Sequence, residues 1–172
     1  MNKQEILHKL AEGFSIIDDT LRKVDDNVFY IRKDNKWSIA ENCKHLSLSL
    51  KPLNMAFSLP NFTLLFLEKL NRETRSYEEM VEKYLQKLSQ GAVATEKFMP
   101  EKLSIENKKE DLIEELKHIN NSFLKKVDDF TEEDLDKYLL PHPVLDKLTI
   151  REMLYFTIYH TLHHHKAIIT TI

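Results

Sequence analysis

The stretch Thr149 to Ile172 reads TIREMLYFTIYHTLHHHKAIITTI and gives the strongest indication of the fold. Thr149 and Glu152 form a capping box, in which two side chains satisfy backbone N–H groups at the start of a helix. We therefore predict one long helix from Thr149 to the end of the sequence. Only two glycines and five prolines occur in the whole chain. Turn-rich β architectures are thus poorly supported, and an all-α fold is favoured.

Four of the eight histidines lie on this last helix, at positions 160, 163, 164 and 165. Residues four apart lie about 40° apart around a helix axis, so His160 and His164 share one side. The same side carries Met153, Phe156, Ala167 and Ile168, whereas Glu152, Tyr159 and Lys166 mark a polar side. We expect His163 to face water with the polar side, and His165 to lie at the margin.

Two imidazoles at this spacing can both reach a single first-row metal ion. The alternatives are a histidine-rich surface tail or the remnant of an expression tag. A tag is disfavoured because the cluster is interrupted and is followed by Ile168 and Ile169. A metal would need a third ligand, and the candidates are a carboxylate, His8, His45, His118 or His142.

Spacing alone does not choose among these candidates. His45 lies beside the predicted core stripe of its helix and is permitted, but not required, to face a neighbouring helix. His118 lies on a helix rich in Lys and Glu, and His8 in a polar stretch, so both are expected to be solvated. His142, between two prolines, could line the mouth of a cleft.

Further helices are predicted from apolar residues at three- and four-residue spacing and from capping boxes at Ser38 and Ser76. Gly91 is expected to end the helix that begins at Ser76, and 92–104 is expected to be a loop. Pro60 breaks the region after the second helix, where Phe62 to Leu67 could form a short buried helix. The predicted helices cover residues 2–24, 38–52 or a turn beyond, 76–90, 107–127 and 149–172. We predict a four-helix bundle with an additional short helical crossover segment, as a single domain over 1–172.

Composition and charge exclude several classes of protein. The net charge of −3, without any run of Lys and Arg, argues against a nucleic-acid binder. The single cysteine, Cys43, excludes a disulfide within the chain, and we expect it to be a small buried residue on the core stripe. No signal peptide and no apolar stretch of about 20 residues can be recognised, so we expect a cytoplasmic protein without membrane contact.

The segment Trp37 to Leu46, WSIAENCKHL, resembles the WS-x-x-E-x-x-x-H-L signature of the DinB-like metalloproteins. The ending His160-x-x-His163-His164 is similar to that family's second signature, H-x-x-x-H on the last helix. The resemblance spans the chain, although only these two segments are distinctive. It implies a four-helix bundle with the metal ligands His45, His160 and His164, and a divalent ion such as nickel or zinc.

The family includes thiol-dependent transferases that use bacillithiol or mycothiol, a maleylpyruvate isomerase and members without assigned activity. The resemblance thus implies transfer of a low-molecular-weight thiol to a small electrophile, with dimerisation through apolar faces. A metal-dependent hydrolase and a non-catalytic metal-binding stress-response bundle are the alternatives. Family members commonly carry a glutamine three residues after the last ligand, where this chain has Ala167. That departure puts in doubt a contact that would support the ligand residues, more than it puts in doubt metal binding itself.

Other conspicuous residues have plain structural interpretations. The aromatic run Phe57, Phe62 and Phe66 is expected in the core or a dimer interface, although it could roof a substrate pocket. Arg72, Arg75 and Tyr77 could contact an anionic substrate, but a solvated loop is the simpler interpretation. No catalytic residue besides the metal ligands can be assigned.

Overall fold

The computed structural model describes residues 1–34, 36–59 and 67–172. The helices and strands of this part are α1 (Lys3–Lys23), α2 (Asp26–Phe29), α3 (Ile39–Ala56), α4 (Tyr77–Ser89), α5 (Lys109–Asp128), α6 (Glu132–Lys137), β1 (Leu139–His142), β2 (Asp146–Thr149) and α7 (Ile150–Ile169). A short 3-10 helix, Glu96–Phe98, lies between α4 and α5. The all-α four-helix bundle is confirmed. The predicted break at Pro60 and most of the predicted helix Phe62 to Leu67 lie outside the described residues.

The bundle consists of α1, α3, α5 and α7, which pack in a ring in the order α1, α5, α3, α7. Side-chain contacts give the directions of the helices. Lys44 and Lys51 of α3 both reach Glu115 of α5 at 2.8 Å, and Lys126 further along α5 reaches Asn54, so these two helices run parallel. Parallel neighbours need a long connection, and residues 57–108 provide it.

The predicted capping boxes explain where the helices begin. The side chains of Ser38, Ser76 and Thr149 each accept a hydrogen bond from the backbone N–H three residues later. In return, the backbone N–H of each of these residues donates to the side chain of the glutamate at that later position. Helix α3 continues one turn past Pro52, as allowed for in the prediction. Gly91, with φ +87°, follows the end of α4 in a conformation that suits glycine.

Several short elements were not predicted, namely α2, the 3-10 helix, α6 and a hairpin. No regular structure was predicted around Pro141-His142-Pro143, but β1 and β2 form an antiparallel hairpin in which Leu140 pairs with Leu148. Strands of four residues are too short to give a periodic sequence pattern. The hairpin leads directly into α7 and so fixes where that helix begins.

The crossover segment is attached to α7 through a buried carboxylate. Glu152 was predicted on a polar, outward side of its helix, but its side chain is fully buried. Arg72 donates to both carboxylate oxygens at 2.6 and 2.7 Å, and Arg75 donates from its backbone N–H at 2.8 Å. The prediction of a solvated loop at Arg72 and Arg75 was therefore wrong. The sequence pattern misplaced Glu152 because α4 and the crossover cover this side of α7.

Two other observations concern the core and the membrane. Cys43 is fully buried, as predicted, and burial raises the pKa of its thiol to about 12. Phe57 stacks on Phe123 with ring centroids 5.5 Å apart, so it belongs to the core. Within the described ranges, none of the helices is long and apolar enough to cross a bilayer.

Candidate metal centre

The structure brings the imidazoles of His45, His160 and His164 together inside the bundle. His45 comes from α3, and the other two come from successive turns of α7. Each side chain is at most 7% exposed. One nitrogen of each ring lies within 4.8 Å of the others.

Hydrogen bonds orient two of the three rings. His45 uses Nδ1 to bond the carbonyl oxygen of Phe98 at 2.7 Å, and His164 uses Nδ1 to bond Oδ1 of Asn42 at 2.7 Å. A carbonyl or amide oxygen only accepts, so both Nδ1 atoms must carry the proton. The Nε2 atoms of His45 and His164 are therefore unprotonated, which is the form that binds metals. The hydroxyl oxygen of Ser49 lies 3.3 Å from Nε2 of His45.

Asn42 is itself held in one orientation. Its amide nitrogen donates to the carbonyl oxygens of Ser38 at 2.9 Å and Trp37 at 3.3 Å. Its amide oxygen must then face His164. The start of α3 thus supplies both one member of the triad and the group that orients another.

The separation of the nitrogens suits one metal ion. Nε2 of His45 and Nε2 of His160 are 3.1 Å apart. Two nitrogens bound to one tetrahedral zinc at about 2.0–2.1 Å would lie about 3.3 Å apart. The donor set also fits, because three imidazoles leave a coordination position open for another ligand.

Burial keeps these rings neutral. It is the largest influence lowering the pKa of His160 and His164, and each ring is further disfavoured as a cation by its histidine neighbours. Burial also lowers the pKa of His45, against the raising effect of the Phe98 carbonyl. Neutral imidazoles are available to a metal ion at pH 7 without first losing a proton.

A cavity of about 770 Å³ lies beside the triad and is lined by all three histidines. Its walls are mostly apolar and aromatic, with Trp37, Tyr84, Phe98 and Phe156 among them. Phe156 stacks on the ring of His160, with centroids 4.9 Å apart and an angle of 23° between the rings. A volume of this size is typical of sites for small molecules.

The histidines outside the triad occupy different places. His8 and His118 are exposed, as expected, and His165 bonds Thr20 at 3.0 Å near the surface. His163 was predicted to face water, which is wrong. It is half-buried and lines the cavity, because Tyr84 of α4 covers that side of α7 with its ring 6.3 Å away.

His142 also lines the cavity, as the prediction of a cleft mouth allowed. Its Nδ1 accepts hydrogen bonds from the backbone N–H groups of Val144 and Leu145 at 3.2 and 3.1 Å. The proton of the neutral ring must then be on Nε2. Burial, followed by the nearby charge of Lys83, lowers the pKa of His142 to about 4.

Sequence reasoning missed two groups that orient the triad. Asn42 lies three residues before His45 and so on a similar face of α3, and that spacing is the signal that could have indicated it. The Phe98 carbonyl has no such signal, because every residue carries a carbonyl. Ala167, at the position of the family's glutamine, is partly buried, and the two orienting bonds come from other residues.

Comparison with protein families adds the decisive observation. Residues 9–168 match the model of the DinB superfamily. The chain belongs to the DinB superfamily. The resemblance drawn from the two signatures is thus confirmed. Among curated proteins, none matches this DinB-superfamily chain at a significant level.

Solved structures share the fold at low sequence identity. YfiT from Bacillus subtilis, described as a probable metal-dependent hydrolase with an unusual four-helix bundle topology, is 16% identical, with a TM-score of 0.63 over 98% of this chain and 85% of YfiT. TT2238, a four-helix bundle protein, is 16% identical with a TM-score of 0.62 over 98% of both chains. The colibactin self-resistance protein ClbS is 14% identical, with a TM-score of 0.60 over 98% of this chain and 94% of ClbS.

The ClbS structure corrects one expectation. ClbS was crystallised in complex with double-stranded DNA, so a bundle of this fold can bind nucleic acid. The exclusion of nucleic acid from composition was therefore wrong. Net charge averages over the whole surface and carries no information on how Lys and Arg are arranged locally.

Proposed function

We propose that His45, His160 and His164 bind one divalent metal ion, nickel or zinc, through their Nε2 atoms. The observation that carries this proposal is the pair of Nδ1 hydrogen bonds, to Phe98 and Asn42, which turn lone pairs of two rings toward a common point. Nε2 of His45 and Nε2 of His160 are 3.1 Å apart, close to the separation of two ligand nitrogens on one tetrahedral zinc ion.

We further propose that the protein transfers a low-molecular-weight thiol to a small electrophile. A metal at this site would supply a Lewis acid that favours the thiolate form. The thiolate sulfur would then form a bond to the electrophilic carbon, and the leaving group would depart with its electron pair. Thiols ordinarily ionise near pH 8.5, far more readily than water, so thiol chemistry depends less on a protein base.

The composition of the cavity supports thiol transfer over hydrolysis. Among the described residues that line it, none is Asp or Glu. Metal-dependent hydrolases commonly use such a carboxylate as the base that deprotonates water. Lys97, exposed beside Phe98 at the cavity, is placed to attract anionic groups of a thiol or an electrophile. Hydrolysis remains the second candidate, on the description of YfiT as a probable metal-dependent hydrolase.

The first experiment measures the metal content of the untagged protein by plasma mass spectrometry, with His45→Ala, His160→Ala and the matched control His163→Ala. We expect near-stoichiometric metal in the wild type and the control, and a loss of at least about 100-fold in affinity in the other two variants. No metal in any preparation, and none taken up from added nickel or zinc, would refute the proposal. Equal losses in His160→Ala and His163→Ala would refute the assigned ligands.

A second experiment separates the functions. The metal-loaded protein is incubated with candidate electrophiles, with and without added thiol, and free thiol and released product are both followed. Thiol transfer predicts equal consumption of thiol and electrophile and no reaction without thiol. Release of product without thiol would indicate a hydrolase. A non-catalytic role predicts no turnover and an unfolded chain after metal removal.

A further inference from the structure

The cavity contains a second polar position, the side-chain amide of Asn120 on α5. Asn120 is only 5% exposed and lies on the cavity wall among apolar residues such as Leu50, Leu116 and Met153. Its Oδ1 is buried and has no hydrogen-bond partner within the described structure. Leaving such a group unpaired destabilises the folded protein, so an unpaired buried amide needs a reason.

Packing does not supply that reason. Leucine has a similar volume and would fill the same place without a polar atom. The hydroxyl groups of Ser47 and Thr74 are likewise buried without a partner in the described residues, but neither residue lines the cavity. Asn120 differs in that it belongs to the wall of the cavity where a small molecule would lie.

The position of Asn120 relative to the triad follows from the parallel packing of α3 and α5. Glu115 bonds Lys44 and Lys51, so it lies at the level of the segment between them, which includes His45. Asn120 is five residues further along α5, and therefore about one to two helical turns, or about 5–11 Å, beyond His45 along the bundle.

We propose that Asn120 is a recognition point for the substrate, and that it hydrogen-bonds an uncharged amide or hydroxyl group. This inference rests on the proposed function, because it assumes that the reacting atom lies at the triad. An amide offers both a donor and an acceptor, which matches another amide or a hydroxyl. A charged group is disfavoured here, because the surrounding wall is apolar. The substrate is thus a short, largely apolar molecule with a neutral polar group about 5–11 Å from its reacting atom.

The test compares two thiols of matched length, N-acetylcysteamine, which carries an amide, and pentane-1-thiol, which does not. Their binding to the metal-free and the zinc-loaded protein is followed by the fluorescence of Trp37, the one tryptophan of the chain, which lines the cavity. The variants are Asn120→Leu, Asn120→Ala and the exposed control Asn121→Leu.

We expect Asn120→Leu to weaken binding of N-acetylcysteamine about tenfold or more while pentane-1-thiol binds as well as before. We also expect its melting temperature to rise by about 2–6 °C, since an unpaired polar group is removed from an apolar wall. Asn120→Ala should show the same preference between the thiols without added bulk, and Asn121→Leu should change neither property.

Two results would overturn the inference. A lower melting temperature in both Asn120 variants would show that the amide stabilises the fold, for example through a buried water. Equal changes in the binding of both thiols would show that the amide does not recognise the polar group. Neither result depends on metal content, so failure here is distinguishable from failure of the metal proposal.

Discussion

Helix α7 carries two buried polar clusters that differ in how their hydrogen bonds are completed. Near its start, the fully buried Glu152 accepts bonds from Arg72, from the backbone of Arg75 and from the backbone N–H of Thr149. Two turns later, His160 and His164 direct ring nitrogens at His45 rather than at a protein group of opposite charge. The carboxylate of the first cluster is paired with cations of the protein, whereas the second cluster groups three histidines that could hold a metal ion.

The comparison separates stabilisation from function on a single helix. Burial alone would raise the pKa of Glu152, but the bonds from Arg72, Arg75 and Thr149 hold it below its usual value. At the histidines nothing opposes burial to the same extent, and the pKa values of His160 and His164 fall well below the ordinary range. The paired charge of Glu152 thus holds the crossover segment, whereas the neutral rings of His160 and His164 are available for binding.

The largest expected effect is at the Glu152 cluster. Glu152→Ala removes the capping box of α7 and leaves Arg72 and Arg75 without their shared partner. We expect a loss of about 3–5 kcal/mol in the free energy of unfolding, measured with urea on the metal-free protein. The exposed Glu82→Ala is the control and should change stability by less than about 0.5 kcal/mol. A loss as small as in the control would mean that the Glu152 cluster does not hold the crossover segment.

An intermediate effect, on metal affinity, is expected at Asn42. Asn42→Ala removes the oxygen that orients His164. We expect metal affinity, measured by competition with a chelator, to fall about 10–100-fold while the fold is retained. Asn54→Ala, at the other end of α3, should leave affinity unchanged. Unchanged affinity in Asn42→Ala would show that His164 needs no such support or is not a ligand.

The smallest expected effect is the loss of folding stability at acidic pH. The pKa of His142 in the folded protein is about 4, below its ordinary value of 6.5, so the unfolded chain binds the proton first. Stability from this group is present above pH 6.5 and is lost as the pH falls from 6.5 toward 4. Glu152, whose pKa is lowered from 4.5, contributes a loss only below pH 4.5. As the pH falls, His142 should therefore reduce the stability of the folded protein before Glu152 does.

We expect the metal-free protein to lose about 1 kcal/mol between pH 7 and about pH 5.5 through His142, measured by urea unfolding at each pH. His142→Gln should reduce this loss, and the exposed His118→Gln should not. If His142→Gln and the wild type lose stability in parallel, other buried imidazoles account for the acid sensitivity.

The sequence was sufficient to predict the bundle, because helix starts are local. The capping boxes at Ser38, Ser76 and Thr149 depend on residues three positions apart, and all three are present in the structure. The pairing of His160 with His164 followed from helical spacing in the same way. His45 could be chosen among the candidates only through the resemblance to a family, because spacing left its orientation open.

The remaining features depend on contacts between distant parts of the chain. From the sequence, Glu152 was expected on an outward side of α7, but in the structure Arg72 and Arg75 cover it. His163 was expected to be solvated, but Tyr84 packs nearby. The environment of Asn120 likewise depends on which helices enclose the cavity. Helical periodicity assigns a residue to a side of its helix, but it does not say what covers that side.

The separation of the triad along the chain has a consequence for folding. His45 and His160 are 115 residues apart, so their nitrogens meet only after α3 and α7 have docked. Contacts this distant in sequence form late and at a high cost in chain entropy. No partly folded chain that lacks α7 can present the complete set of rings. A ligand that needs all three would therefore favour the fully assembled bundle over every intermediate, and would slow its unfolding.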